Sequence, residues 1–332
     1  MAGATAATRV DPHAWLRRQS RWGAVEIVFW LAMLLPFYFF PTYLTLASQI
    51  AIAALFAVSL DLILGYAGII SLGHAMFFGI GAYSAGLLSK TGWGEPLTGL
   101  VFAAAISALA GYITSFMIVR VRHLALIMIT LGLSLLTVEL ANSMTWLTGG
   151  ADGLQGVDIW PVLGRFEFDL WGYTAYSYAL VALFVGVVVA RRLVHSPFGL
   201  SLRGIRENLT RMPAIGSPHR ARLQKIYTIA AAMAGVAGAL LAQTTETVSL
   251  ETLGFQRSAD VVVMLILGGT GRLYGAIIGA IIFMVARDQL SDMNPQYWYF
   301  WIGLLLMAVV LFMPNGILGG LARLMPGQGR DA

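Results

Sequence analysis

Residues 191–225 read RRLVHSPFGLSLRGIRENLTRMPAIGSPHRARLQK, and they separate two oily runs at 173–190 and 226–245. The stretch holds eight Arg/Lys and a single acid, Glu207. Lipid offers no partner for backbone N–H and C=O, so apolar runs of crossing length must be helices. A structured basic segment between two such runs marks a chain that crosses a bilayer repeatedly and keeps a working loop at one face. A chain that only had to sit in lipid would not need this loop; one moved by a soluble partner would.

The rest of the composition agrees. The chain is 58% hydrophobic and 11% charged, against about 45–50% and about 25% in soluble domains. Its 332 residues suit one membrane bundle. The net charge of +5 does not point to nucleic acid. The basic residues sit in short segments beside apolar runs, as the positive-inside rule requires, and no base-stacking motif accompanies them. Cysteine is absent, which excludes disulfides, thiol catalysis and cysteine metal sites. The five histidines form no Glu-x-x-His or His-x-x-x-His pair, so no metal site and no cofactor are expected.

Apolar stretches fall near 24–41, 43–64, 66–88, 97–119, 124–147, 173–190, 226–245, 258–286 and 297–313. Each is roughly long enough to cross ~30 Å of hydrocarbon. The fold class is therefore an all-α integral membrane protein, a polytopic bundle of about eight to ten transmembrane helices. Residues 1–23 form a cytoplasmic arm carrying Arg9, Arg17, Arg18 and Arg21. No small-residue cleavage site follows the first apolar run closely, so that run is expected to be retained. Residues 24–318 form a single transmembrane domain with its loop at 191–225, and 319–332 a cytoplasmic tail.

Charge sets the orientation. The arm, the turn at Arg120, Arg122 and His123, and the 191–225 loop are basic and face the cytoplasm. The 148–172 connection, with Asp152, Asp158, Glu167 and Asp169 against Arg165, is acidic and faces outside, as does 246–257 with Glu246 and Glu251. Arg323 and Arg330 place the tail inside, yet nine crossings would leave it outside. A break at Gly268-Gly269-Thr270-Gly271, making 258–286 a broken or re-entrant helix, restores the parity.

Two stretches carry chemistry. Residues 60–83 read LDLILGYAGIISLGHAMFFGIGAY. Asp61, Gly65, Tyr66, Gly68, Ser71, Gly73 and His74 are its pathway candidates, with Gly268 and Gly269. Each glycine weakens a helix by about 1 kcal/mol relative to alanine and permits a break that bares backbone to a pathway. Asp61 and His74 are costly at membrane depth, so a functional or paired role is the default; for His74 the alternative is a satisfied hydrogen bonder within the bundle. In the 191–225 loop, Ser196 caps a helix and Pro197 suits its first turn. Leu202, Ile205, Leu209 and Met212 then form one apolar stripe, with Arg203, Arg206, Glu207 and Arg211 off it. Such a short amphipathic cytoplasmic helix lies on anionic lipid or docks into a partner's groove. Small-x-x-x-small pairs at Ala231/Gly235, Ala234/Gly238 and Gly275/Gly279 read as ordinary close helix packing.

The pattern Gly-Tyr-x-Gly-x-x-Ser-Leu-Gly-His-Ala-x-Phe-x-Gly-Ile-Gly-Ala-Tyr from Gly65 resembles the LivM-type permease of branched-chain amino acid ABC importers. Ser-Pro-Phe-Gly-x-Ser-Leu-Arg-x-Ile-Arg-Glu-Asn from Ser196 is similar to a second segment of that family. TGGADGLQG at 148–156, LGGTGRLYG at 267–275 and FMPNGIL at 312–318 match further ones. The resemblance implies a one-directional importer of amino acids in the bacterial cytoplasmic (inner) membrane. It implies a LivH-type second permease, two cytosolic ABC ATPases and a periplasmic or extracellular substrate-binding protein as partners. It places ATPase coupling on Phe198, Gly199, Leu202, Arg203, Ile205, Arg206, Glu207, Asn208, Ala214 and Gly216, and so favours the partner groove over lipid. The chain departs from the family pattern at 209–213, at Asp61, where asparagine is commoner, and at Arg272 and Ala276.

Absences narrow the function. No Gly-x-x-x-x-Gly-Lys-Ser/Thr exists, so the chain cannot hydrolyse ATP by the P-loop route, and no Gly-x-Ser-x-Gly nucleophile elbow appears. No catalytic residue is expected. Cargo is expected to meet mostly apolar and glycine-exposed surface around 65–83 and 258–275, without a charged selectivity ring. Other readings are a permease of the same family for urea, amides or organic acids; an ion-driven transporter using Asp61, Glu139 or Asp260; and a passive channel or structural subunit.

Overall fold

The computed structural model describes residues 23–121, 124–169, 171–214, 216–313 and 316–324. The arm at 1–22, Arg122, His123, Leu170, Ile215, Pro314, Asn315 and the tail from 325 onward lie outside them. Besides single turns at Pro36–Phe39 and Thr145–Thr148, the α-helices are α1 (Ala24–Ala32), α2 (Leu44–Asp61), α3 (Ala75–Lys90), α4 (Pro96–Ile118), α5 (Leu124–Ser143), α6 (Tyr173–Val194), α7 (Pro197–Glu207), α8 (Arg211–Ala214), α9 (His219–Thr245), α10 (Phe255–Gly268), α11 (Leu273–Met293), α12 (Trp298–Phe312) and α13 (Gly316–Leu324). Among the described residues no strand forms. Among the described residues six helices are long and apolar enough to cross a membrane: Pro41–Tyr66, which contains α2, and α4, α5, α6, α9 and α11. Ala24–Phe39 and Trp298–Val309 are shorter apolar helices.

α2 and α9 form the centre and are buried on most of their surface. α9 lies against both α3 and α4, while α2 packs on α6 and α11. A four-residue spacing of small side chains explains the α4–α9 seam. Gly99, Ala103, Ser107, Gly111 and Ser115 make one buried stripe on α4. A Cβ on Gly111 would come within 2.4 Å of Ala231 Cβ, and one on Gly235 within 2.2 Å of Ser107 Oγ. In lipid, where no hydrophobic force drives helices together, such close backbone approach supplies the attraction. The small-x-x-x-small pairs are thus packing features, as the sequence indicates.

A polar clasp locks the same seam. The buried Gln243 of α9 accepts a hydrogen bond from Tyr178 Oη of α6 at 2.9 Å and donates Nε2 to Pro96 O at 2.9 Å. Gln243→Leu leaves both partners unsatisfied, and a loss of about 1–3 kcal/mol is expected. Thermal unfolding in detergent measures it, and an unchanged midpoint would contradict the clasp.

The bundle has two chemically distinct ends. At one, Leu154 and Val248 exchange backbone hydrogen bonds, and Gly94 approaches Asp158 and Trp160; this end gathers the acidic connections. There, slight burial pushes the Asp169 carboxyl up, but backbone N–H groups of Thr174 and Tyr173 outweigh it and hold it below the usual carboxylate range. At the other end lie the basic loop, the Glu26–Arg191 ion pair that ties α1 to α6, and Gly316, which sits against Gly269. Among the described residues, Glu26 near the first helix and Gly316 after α12 thus both lie at the end that carries α7.

Candidate functional site

The long run at 258–286 is divided where the glycines stand. α10 ends at Gly268, α11 begins at Leu273, and the two pack as neighbours. The turn between them does not stop midway: it reaches the basic end and touches α7 and residues 65–68.

A second break lies opposite. α2 runs on through a π-turn at Leu62–Tyr66, a rare geometry that concentrates at functional sites. Residues 67–74 then climb back into the bundle without helical structure before α3 starts. Gly68 sits against Arg206 at the basic end, while His74 Nε2 is 2.9 Å from Ser59 Oγ, about 10 Å deeper by helical rise. The acidic end mirrors this. Val248 lies beside Gly86 and Leu253 beside Gly79, so 246–254 descends about 10 Å before α10 begins. The two short helices start side by side: Ala75 N–H donates to Ser258 Oγ at 2.9 Å.

Non-helical backbone at this depth needs protein partners, and α5 supplies them. Thr130 Oγ1 accepts from Leu72 N–H at 3.3 Å, and Ser134 Oγ donates to Leu253 O at 3.1 Å. A Cβ on Gly73 would come within 2.0 Å of Thr130 O. Thus one helix braces both non-helical segments, 67–74 and 246–254.

α7 is built as its sequence indicates at the start. Ser196 Oγ accepts from Gly199 N–H at 3.3 Å, and Leu202 and Ile205 are buried. The single stripe through Met212 is not one helix, however. Asn208 caps α7, and its Oδ1 accepts from Thr210 and Arg211 N–H to start α8. Met212, on this second short helix, folds back onto Gly204, and Leu209 packs partly buried from the link before it. Two arginines of α7 grip the first break. The Arg203 guanidinium lies 5.4 Å from the Tyr66 ring centre, and Arg206 donates to Gly65 O. Arg206 also borders Gly68 and Gly271, both at positive φ (73° and 77°), where side chains are disfavoured. Asp61 completes the joint, its Oδ1 accepting Gly271 N–H at 2.7 Å. One arginine thus sits where both broken helices turn.

A family model described as branched-chain amino acid transport system / permease component matches residues 42–310. The chain belongs to that family. It is 29% identical over 310 residues to the high-affinity branched-chain amino acid transport system permease protein LivM of Escherichia coli (strain K12), covering 87% of this chain and 72% of the relative. It is 26% identical over 280 residues to LivH of the same strain, covering 80% and 91%. The autoinducer 2 import system permease protein LsrC of Enterobacter sp. (strain 638) is 26% identical over 243 residues, covering 70% and 67%. No solved structure gives a significant match. These relatives are transport permeases, and the chain is a multi-pass membrane permease of their family.

Within this permease the pathway candidates divide into two groups. Asp61, Gly65, Tyr66, Gly68, Gly268 and Gly269 gather at the basic joint. Ser71, Gly73 and His74 lie buried at mid-depth, with His74 stacked on Phe56 at 5.5 Å between ring centres. Of the coupling candidates, Gly199, Leu202 and Ile205 face the bundle, Phe198 and Arg203 are half-buried, and Arg206, Glu207, Asn208, Ala214 and Gly216 are exposed. Thr130 and Ser134 carry no sequence signal beyond a four-residue hydroxyl spacing in α5. Arg257 and Arg287, absent from the sequence-derived candidates, line a polar cavity with Asp260. Arg257 and Asp260, three apart at the head of an apolar run, were the visible trace of that cavity.

Proposed function

We propose that this chain is one of two pore-forming subunits of an ATP-binding-cassette importer that carries branched-chain or other small, largely apolar amino acids into the cytoplasm. A LivH-type permease completes the pore, two cytosolic ATPases grip α7 and α8, and an external binding protein delivers cargo to the acidic end. Residues 24–318 act as one transmembrane domain, with the arm, the 191–225 loop and the tail in the cytoplasm of a bacterial inner membrane.

The observation that carries this reading is the seat of Arg206 on the turns of two broken helices. ATPase closure moves α7 as a lever, the joint at Asp61, Gly65 and Gly271 shifts with it, and the short helices α3 and α10 change their mutual packing. The passage then alternates between outward and inward access. A helix lying only on lipid would have no reason to tie its charges to two interior backbones.

Reconstitution tests it. Proteoliposomes holding both permeases and both ATPases are expected to accumulate leucine only with internal ATP and external binding protein, and to keep doing so when an uncoupler abolishes ion gradients. Uptake by this subunit alone, or its collapse with the uncoupler, would instead establish the channel or the ion-driven alternative.

A further inference from the structure

A cavity of about 400 Å³ opens between α2, α10, α11 and the 246–254 connection, within the range of about 300–1,000 Å³ typical of small-molecule sites. Its mouth is at the acidic end, where Thr247 and Asp292 border it, and it extends inward to Phe56 and Phe78. Those two rings are 4.7 Å apart and form an apolar floor, with His74 stacked behind Phe56. The cavity therefore ends where the two short helices begin.

Its walls carry charge of both signs. Arg257 and Arg287 face it together with Asp260, Asp288 and Asp292. Asp260 is 8% exposed, and its Oδ1 accepts one hydrogen bond from Gln256 at 3.2 Å. Among the described residues neither arginine forms an ion pair with these carboxylates within 4.0 Å. Both guanidinium groups are instead held over aromatic rings, Arg257 at 5.9 Å from Phe78 and Arg287 at 5.1 Å from Trp298. Stacking of this kind fixes a guanidinium while leaving its N–H fork free to take a carboxylate. Buried charge is tolerated only when paired, so arginines and an aspartate held apart around one apolar-floored space call for a solute bearing both signs. A simple anion would face three carboxylates, and a simple cation two guanidiniums.

We infer that this cavity is the receiving site for the α-amino acid zwitterion within the permease. Arg257 and Arg287 take the carboxylate, Asp260 takes the ammonium group, and Phe56, Phe78 and Met264 receive the aliphatic side chain. The assignment rests on the amino acid cargo proposed above, and it adds a selection step in the permease to that of the binding protein.

The chain's lack of cysteine allows a direct test. Ala53 borders the cavity and is half-buried, so Ala53→Cys offers a thiol to a small methanethiosulfonate reagent in the assembled, nucleotide-free transporter. Leucine is expected to slow its modification about threefold or more, and 4-methylpentanoate and 3-methylbutylamine, which keep one charge each, to protect far less. Asp260→Asn or Arg257→Gln in that background should remove protection and lower leucine uptake about tenfold or more. Co-purification with the partner subunits controls for folding. Protection that is absent, or unchanged in both variants, while the same preparation imports leucine would overturn the site and leave the importer intact. Failure of the complete unmodified assembly to import any amino acid would overturn the cargo reading itself.

Discussion

Arg206→Ala is expected to abolish cargo uptake while the ATPases continue to turn over. The side chain makes a charge-assisted hydrogen bond to Gly65 O and lies against Gly68 and Gly271. Such a bond is worth about 1.5–3 kcal/mol, so its removal weakens the link between α7 and the joint by roughly 10–150-fold. Movement of α7 would then no longer carry both turns with it. Arg206→Lys keeps the charge but loses the planar fork that reaches a carbonyl at fixed geometry, and it should fall between the two. Paired measurements of leucine uptake and ATP hydrolysis in proteoliposomes separate transport from motor activity. Uptake by Arg206→Ala within about twofold of the unmodified transporter, a difference too small for a lost charged hydrogen bond, would remove this residue from the coupling path.

Glu207 provides the contrast. Like Arg206 it is exposed, but among the described residues its side chain makes no hydrogen bond to the joint, where Arg206 donates to Gly65 O. Its replacement should act on ATPase assembly rather than on the permease interior. Loss of co-purifying ATPase with Glu207→Ala, set against retained ATPase with Arg206→Ala, would distinguish the outer and inner halves of one helix.

Most helical spans are legible because lipid leaves the backbone few options; the span expected at 66–88 is the exception, since residues 67–74 leave the helix and α3 starts only at Ala75. The break at Gly268–Gly271 was legible for a similar reason: four consecutive residues with three glycines cannot hold a helix against α11. The meeting of the three motifs was not. Arg206 and Gly65 are 141 residues apart, and Gly271 and Asp61 are 210 apart; no local pattern records such a pairing. The amphipathic stripe overran its helix because Asn208 spends its side chain on capping the next one, which periodicity of apolar residues does not register. The charged cavity escaped notice because its members come from separate elements, and a lone arginine in each looks like a boundary residue. It sets charged side chains beside the apolar surface of 258–268.

Gly268→Ala is expected to be the most damaging single-methyl change in the bundle. A Cβ there would lie 1.7 Å from Gly275 O and 2.5 Å from Gly275 C, and the reciprocal Gly279 would place its Cβ 1.8 Å from Met264 O. These obstacles are backbone, so no rotamer change relieves them; α10 and α11 must move apart. Overpacking usually costs about 1–3 kcal/mol, and a clash against main-chain atoms belongs at or above the upper end. Separation would also shift the 269–272 turn off Asp61 and Arg206, so transport should fail along with stability. Gly132→Ala is the matched control. Nothing lies within 4 Å of its Cβ position in α5, and glycine costs a helix interior about 1 kcal/mol relative to alanine, so this change should leave the melting temperature unchanged or raise it. A drop of about 5 °C or more is expected for Gly268→Ala. If the two variants melted alike, the close apposition of α10 and α11 would be wrong, and the lever would have no second arm to move.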